Sequence, residues 1–247
     1  MSDVTTLYFE HVKQMADKVL NTQKEQILAT AHVFSETIKD GKTIYAFGAS
    51  HAGIITEELF YRTGGLALIN PVLTPSLMLN TKPVTLTSKM ERLSGFGETV
   101  FSSLPATQGD TLLIHSVSGR NPVAIEMALA AHEKGVKTIA LTNLIYSKQV
   151  TSRHTSGKRL FEVCDIVIDN CGDFEDSSMQ LDGLEQKVAP TSTAIGSLIA
   201  NAIVLETVEN LLKDGITPPV FHSSNVDGGD AFNAKIFQEY TERIHYM

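Results

Sequence analysis

The sequence predicts an α/β protein in which a parallel β-sheet is covered by helices on both faces. Short, nearly uninterrupted apolar runs, typical of strands buried on both faces, alternate with helical patterns. The connections between them span roughly two to six residues, as in consecutive βα units. The chain has 247 residues, of which 43% are hydrophobic. This length and composition suffice for one large domain of this class.

The N-terminal segment predicts two consecutive helices within residues 4–39. Apolar residues such as Leu7, Met15 and Val19 recur at helical spacing, and Asp40-Gly41 is a helix stop signal. We expect residues 1–40 to form a helical arm. Its apolar stripe must pack on the main domain or on another subunit.

The main domain is predicted for residues 41–213, and its strands are five apolar runs. They lie at 43–47, 66–69, 111–114, 136–141 and 166–168. Asn121-Pro122 begins the helix after the third run, because Asn is a good N-cap and Pro suits the first helical turn. A long helix is expected at about 191–213. We expect residues 214–247 to form an extension that packs on the core or on a neighbouring subunit.

Composition bears on whether the protein binds nucleic acid or membranes and on the cellular compartment in which we expect it. The net charge is −8, which argues against a nucleic-acid surface and against a polybasic membrane contact. The first residues contain no apolar signal core, and we find no window resembling a membrane span. The two cysteines, Cys164 and Cys171, do not form a disulfide or zinc pattern. We therefore expect a cytoplasmic protein.

Two predicted strands end in hydroxyl-rich loops, where open α/β sheets bind ligands. In the first loop, Gly48, Ser50 and Gly53 have the spacing of a dinucleotide fingerprint. Ser50 replaces the middle glycine, which argues against NAD and favours a smaller anion at a helix N-terminus.

The second loop follows the strand at 111–114. Ser116, Ser118, Gly119 and Asn121 precede a helix, so hydroxyls and turn N–H groups can bind one phosphate without a basic surface. The alternative for each loop is simple helix capping, for which Ser and Asn are also common.

A family resemblance rests on three segments in order. They are Gly48-Ala49-Ser50-His51-Ala52-Gly53, Ser116-Val117-Ser118-Gly119-Arg120-Asn121, and Ala189-Pro190-Thr191-Ser192-Thr193. Together they resemble the SIS (sugar isomerase) domain over roughly residues 20–213. Within it the chain looks similar to an uncharacterised SIS group related to phosphoheptose isomerase and N-acetylmuramic acid 6-phosphate etherase.

The resemblance implies a five-stranded parallel sheet in a three-layer α/β/α sandwich, a sugar-phosphate ligand, and a homodimer or homotetramer. By resemblance, Ser50, Ser116, Ser118 and Asn121 hold the phosphate, in turns that include Gly48 and Gly119. Thr191 and Ser192 supply further contacts.

Glutamates are candidates for the general base that moves a proton next to a carbonyl. Glu57 and Glu58 match a Glu-Glu-Leu segment of phosphoheptose isomerases, although Glu58 also suits an ion pair with Arg62. Glu91 lies in a glycine-containing segment similar to one in the etherases. The alternative for Glu91 is a charge in the first turn of a helix.

Two histidines and one asparagine complete the candidate site. His51 follows Ser50, and His154 lies in a loop after a strand. His115 is predicted to be a core residue. Asn225 lies in the polar segment 219–230, which either folds across an active site or forms a structural arm.

The leading functional hypothesis is a sugar-phosphate isomerase that uses Glu/His acid–base catalysis through an enediolate, with no cofactor and no metal. The same groups would serve a phosphosugar lyase or etherase. A non-catalytic phosphosugar sensor is the second class. A serine hydrolase with Ser50, Asp169 and His222 is the third, because residues 48–52 resemble a nucleophile elbow.

Overall fold

The structure is a computed structural model that describes residues 3–247. Its helices and strands alternate through most of the chain. In order they are α1 (Val4–Lys39), β1 (Ile44–Gly48), α2 (Gly53–Leu59), β2 (Ile69–Pro71), α3 (Leu86–Met90), α4 (Phe96–Ser102), β3 (Thr111–His115), α5 (Pro122–Glu133), β4 (Lys137–Thr142), α6 (Leu144–Gln149), β5 (Ile166–Asp169), α7 (Ser192–Lys213) and α8 (Gly229–Glu239).

The five strands form one parallel sheet in the order β2-β1-β3-β4-β5. The strand order reverses between β1 and β3, where Gly48 pairs with His115 at the carboxyl ends. A ligand site in an open α/β sheet lies at such a switch point. The predicted fold class is therefore confirmed, and the loops after β1 and β3 are neighbours in space.

Side chains of the sheet alternate between two hydrophobic layers. Leu113 of β3 faces the layer of α1, α2 and α7, whereas Leu112 and Ile114 face the layer that contains α4 and α5. All five residues of β3 are buried. Burial on both faces explains why the strands are continuous apolar runs rather than alternating ones.

The prediction of two N-terminal helices is wrong, because α1 is a single helix of 36 residues. No glycine or proline interrupts this segment, so nothing in it breaks the helical hydrogen bonds. Ala31, Phe34 and Ile38 of α1 belong to the same buried cluster as the sheet. The helix therefore packs on the main domain of its own chain, mostly against α7.

The second strand lies later than predicted, at Ile69–Pro71 rather than 66–69. Leu66 bridges Val220 of the C-terminal extension instead, and Ala67 N donates to Pro219 O at 2.9 Å. The apolar run at 66–69 is thus shared between two pairings. The extension packs on the core of its own chain, where Ile236 and Ile244 are buried.

Helix α7 has the length and composition of a membrane span, contrary to the expectation from the sequence. By length and composition Ser192–Lys213 could cross a membrane, although 44% of its most apolar window is buried in this structure. Ile199, Ile203 and Leu211 lie in the cluster shared with α1. A core helix of a soluble protein meets the same criterion, so the finding is weak evidence for a membrane.

Candidate functional site

A cavity of about 200 Å³ lies at the carboxyl ends of β1 and β3. Six of the residues selected from the sequence line it, namely Ser50, His51, Glu91, Ser116, Ser118 and Asn121. The two loops meet there because Gly48 and His115 are register partners. The folding topology thus joins segments that are some 65 residues apart in the chain.

The loop 116–121 contains unused hydrogen-bond donors, and four of its residues, Ser116, Val117, Ser118 and Asn121, line the cavity. The N–H groups of residues 117–121 and the hydroxyls of Ser116 and Ser118 have no hydrogen-bond acceptor among the described residues. They precede the N-terminus of the 12-residue helix α5. Free N–H groups, hydroxyls and the positive helix end together make an anion-binding site without charged side chains, and we call this loop 116–121 the seat.

Residues of β4 and the following helix hold this loop in place. Thr142 Oγ1 donates to Ser116 O at 2.7 Å. Gly119 has φ of 57°, and a Cβ there would lie 3.1 Å from Ser147 Oγ. Glycine is therefore the residue that fits this crowded left-handed turn.

Glu91 faces the seat and is held by both loops. Ser50 Oγ donates to Glu91 Oε1 at 2.5 Å, and Asn121 Nδ2 donates to Glu91 Oε2 at 2.7 Å. Its backbone oxygen accepts from Val123 N at 3.3 Å. The bonds place one carboxylate at the edge of the cavity with a defined orientation.

A second carboxylate, Glu126 on α5, fixes the segment that carries Glu91. Glu126 is 7% exposed and accepts hydrogen bonds from Gly95 N at 2.7 Å and Gly97 N at 2.9 Å. A Cβ at Gly97 would lie 2.3 Å from Val123 O, so this segment packs directly on the α5 backbone. Buried carboxylates of this kind are tolerated when their oxygens are bonded.

His115 is buried, as predicted for a core residue, yet it also lines the cavity. Its Nδ1 lies 3.0 Å from Ala52 O, so Nδ1 carries the proton, and Nε2 has no partner in residues 3–247. Burial lowers the pKa of His115, which keeps the imidazole neutral. The side chain thereby retains a free acceptor nitrogen.

Ser192 contacts the site through Asp176. The Ser192 hydroxyl donates to Asp176 Oδ2 at 2.5 Å, and Thr191 N donates to Oδ1 at 3.3 Å. Asp176 lines the cavity, together with Tyr146. The sequence does not single out either residue, since both stand in weakly patterned stretches; the fold places Tyr146 on the short helix α6 and Asp176 in the segment after β5.

The remaining candidates lie outside this cavity. Glu57 lines a neighbouring cavity that includes Gly48 and Ser50, whereas Glu58 is paired with Arg62 and bonded by Asn201. Glu58 therefore forms the ion pair that its spacing from Arg62 predicts.

His154 and Asn225 are also elsewhere. His154 Nε2 is 3.9 Å from Glu126 Oε1, beneath the segment that bears Glu91. Asn225 lines a separate cavity formed with Tyr61 and Arg62. The C-terminal extension does not fold across the cavity of its own chain.

The serine hydrolase alternative finds no support in the arrangement. His222 stacks on Phe232 and lines the cavity of Asn225, so it does not meet Ser50, whose hydroxyl donates to Glu91. The hydrolase triad is therefore not assembled. In the described range 3–247, no group of three or more His, Cys, Asp and Glu side chains is placed to hold a metal ion.

Fold and cavity together define a three-layer α/β/α protein with its site at the β1/β3 switch point. A model of the SIS domain matches residues 7–143. The chain belongs to the SIS domain family and is a relative of the UPF0309 proteins. It is 53% identical to a UPF0309 protein of Shouchella clausii over 240 residues, covering 97% of this chain and 98% of the relative. A UPF0309 protein of Oceanobacillus iheyensis is 51% identical, with the same shares covered.

Solved structures share the fold at low sequence identity. A phosphoheptose isomerase from Francisella tularensis is similar with a TM-score of 0.55 and 16% identity, covering 85% of this chain and 100% of that chain. One from Neisseria gonorrhoeae has a TM-score of 0.50 and 19% identity, covering 82% and 94%. At such identities the likeness establishes the fold alone.

Proposed function

We propose that this protein is a sugar-phosphate isomerase. The loop 116–121 binds the phosphate, and Glu91 transfers the proton between adjacent carbons through an enediolate. The observation that carries the proposal is one cavity with free N–H and hydroxyl donors on one side and the oriented Glu91 carboxylate on the other. Membership of the SIS family and the fold of the phosphoheptose isomerases support it.

The roles of Ser50 and Asn121 change in this proposal. The family resemblance assigns both to the phosphate, but their side chains hold the two oxygens of Glu91. We assign them to positioning the base, with Ser116, Ser118 and Gly119 left as the phosphate seat. His51, exposed at the cavity rim, is the remaining candidate acid for opening the sugar ring.

The phosphate seat is tested by thermal shift with sugar phosphates and their unphosphorylated sugars. Only the phosphates should stabilise the protein, because the seat offers donors for an anion. Ser118→Ala should reduce the shift. Ser102→Ala is the matched control, since its hydroxyl is exposed and bonds only Thr99 O. Equal shifts in the wild type and Ser118→Ala would refute the seat.

The base is tested by exchange of the carbon-bound proton in D₂O, followed by NMR on a sugar phosphate that binds. Glu91→Gln should slow exchange by about 10²–10⁴-fold while phosphate binding persists. Glu98→Gln is the control, because Glu98 is exposed in the first turn of α4. A normal exchange rate in Glu91→Gln would remove Glu91 from this role.

A lyase or etherase is the runner-up within the same site. Both reactions begin with removal of a proton next to a carbonyl, so Glu91 is suited to either. Product analysis distinguishes them, because a lyase releases an eliminated group and an isomerase does not. A sensor would bind the ligand without exchange.

We also propose a cytoplasmic homodimer or homotetramer that binds neither nucleic acid nor membrane. Leu198, Leu205 and Leu212 are exposed at seven-residue intervals along α7, which supports packing against a second copy. Light scattering after size exclusion measures the assembly. A monomer at micromolar concentration would refute it.

A further inference from the structure

Three arginines are direct neighbours of residues that line the cavity, and we call them the arginine cluster: Arg92, Arg120 and Arg153. Arg153 Nη1 donates to Asn121 Oδ1 at 2.9 Å, and Asn121 lines the cavity. Arg153 N donates to Arg120 O at 2.8 Å, which keeps these two residues side by side. Arg92 directly follows Glu91 in the chain.

The arginine cluster is not neutralised by the protein. Within residues 3–247 none of its members forms an ion pair, nor does Arg243, whose guanidinium donates to backbone oxygens, whereas Arg62 and Arg159 each pair with a glutamate. This contrast is notable in a chain with 28 acidic residues and a net charge of −8. Three like charges held together raise the free energy of the empty site, and a bound anion would lower it.

The charged groups near Arg153 are mostly positive. Burial, and then the charges of Arg120 and Arg92, lower the pKa of Arg153, while Tyr146 and Glu91 oppose the effect. Glu91 is the sole carboxylate in that set. Its two oxygens already accept from Ser50 and Asn121.

We infer that the natural ligand carries a second anionic group, a carboxylate or a second phosphate, and that the arginine cluster binds it. This inference rests on the proposed sugar-phosphate site. The seat at loop 116–121 binds the first phosphate with neutral donors. Arg120 Nε and Nη2 donate to Thr151, and Arg153 Nη1 donates to Asn121, so the remaining guanidinium N–H groups of the cluster are left for another anion. Guanidinium groups bind carboxylate and phosphate through paired N–H donors.

Calorimetry with two acyclic probes tests the inference. Sorbitol 6-phosphate and 6-phosphogluconate differ in one end group, which is a hydroxymethyl in the first and a carboxylate in the second. A second pair, fructose 6-phosphate and fructose 1,6-bisphosphate, tests a second phosphate. We expect the wild type to bind the doubly anionic member of at least one pair tenfold or more tightly.

Variants assign the preference to the cluster. Arg153→Gln and Arg92→Gln should bring the ratio of dissociation constants close to one, with the monophosphate affinity within about twofold of the wild type. Arg153→Lys should retain part of the preference, because it keeps the charge but loses the paired donors. Arg62→Gln, whose partner is Glu58, is the control and should keep the full ratio.

Three outcomes overturn the inference. A ratio near one for both pairs in the wild type removes the second anion. An equal loss of affinity for both members in Arg153→Gln means that the cluster attracts the single phosphate. Absence of binding by all four probes refutes the inference together with the proposed function, whereas monophosphate binding that depends on Ser118 leaves the proposed function intact.

Discussion

Replacing Glu126 with glutamine keeps the size of the side chain but exchanges one carboxylate oxygen for an NH₂ group. In the wild type one oxygen accepts from Gly95 N at 2.7 Å and the other from Gly97 N at 2.9 Å. A glutamine can accept only one of these bonds. The other N–H then faces a donor in a site where Glu126 is 7% exposed.

The expected loss follows from that geometry. A hydrogen bond to a charged group contributes about 1.5–3 kcal/mol, and the orphaned N–H adds a desolvation cost. We expect Glu126→Gln to lower the free energy of unfolding by about 2–4 kcal/mol. For a chain of this length each kcal/mol corresponds to a shift of about 2–4 °C in Tm.

Urea unfolding measures the loss, and Glu133→Gln on the same helix is the matched control. Glu133 is exposed, so its substitution should change the free energy of unfolding by no more than about 0.5 kcal/mol. If Glu126→Gln is as stable as Glu133→Gln, the two backbone bonds do not hold the Glu91 segment and the assignment of Glu126 is wrong.

Three further predictions concern pH, thiol reactivity and packing. Burial lowers the pKa of His115 from its ordinary value of 6.5, so the unfolded chain binds its proton more tightly. The free energy of unfolding should therefore fall as the pH drops below about 6.5, by at most about 1.4 kcal/mol per pH unit from this group. Urea titrations between pH 7 and 5 measure this dependence, and the free energy of unfolding of His115→Asn should change less with pH than that of the wild type. Burial raises the pKa of Cys164 to about 12 and also raises the pKa of Cys171. Iodoacetamide at pH 8 should therefore alkylate both thiols far more slowly in the native protein than in urea. Rapid labelling of the native protein would contradict this. Gly97→Ala should cost about 1–3 kcal/mol in urea unfolding, because its Cβ would lie 2.3 Å from Val123 O, and an unchanged midpoint would show that the α5 contact is looser than described.

The strands could be predicted wherever their sequence signal was local. The apolar runs at 43–47 and 111–114 match β1 and β3 within a residue, because burial on both faces leaves a continuous apolar pattern. The run at 66–69 was misassigned, since part of it pairs with the C-terminal extension. A pairing between segments about 150 residues apart leaves no local trace.

Some residues of the candidate site could likewise be located from local sequence signals, and others could not. The loops that contain Ser50 and Ser118 could be located because each directly follows a predicted strand. Asp176 and Tyr146 could not, since they reach the cavity from weakly patterned stretches, Tyr146 on the short helix α6 and Asp176 after β5. His115 was predicted as a core residue, and its buried position is compatible with its place in the cavity wall.

By itself the sequence determined the fold class and the two hydroxyl-rich loops, since hydrophobic periodicity and strand ends are properties of neighbouring residues. It left Glu57, Glu58 and Glu91 as candidates for the base. Only the tertiary structure placed Glu91 at the cavity with both carboxylate oxygens bonded, because Ser50, Asn121 and the segment held by Glu126 set its position. Those contacts join residues some 30 to 40 positions apart, and their geometry exists only once the sheet and α5 have packed.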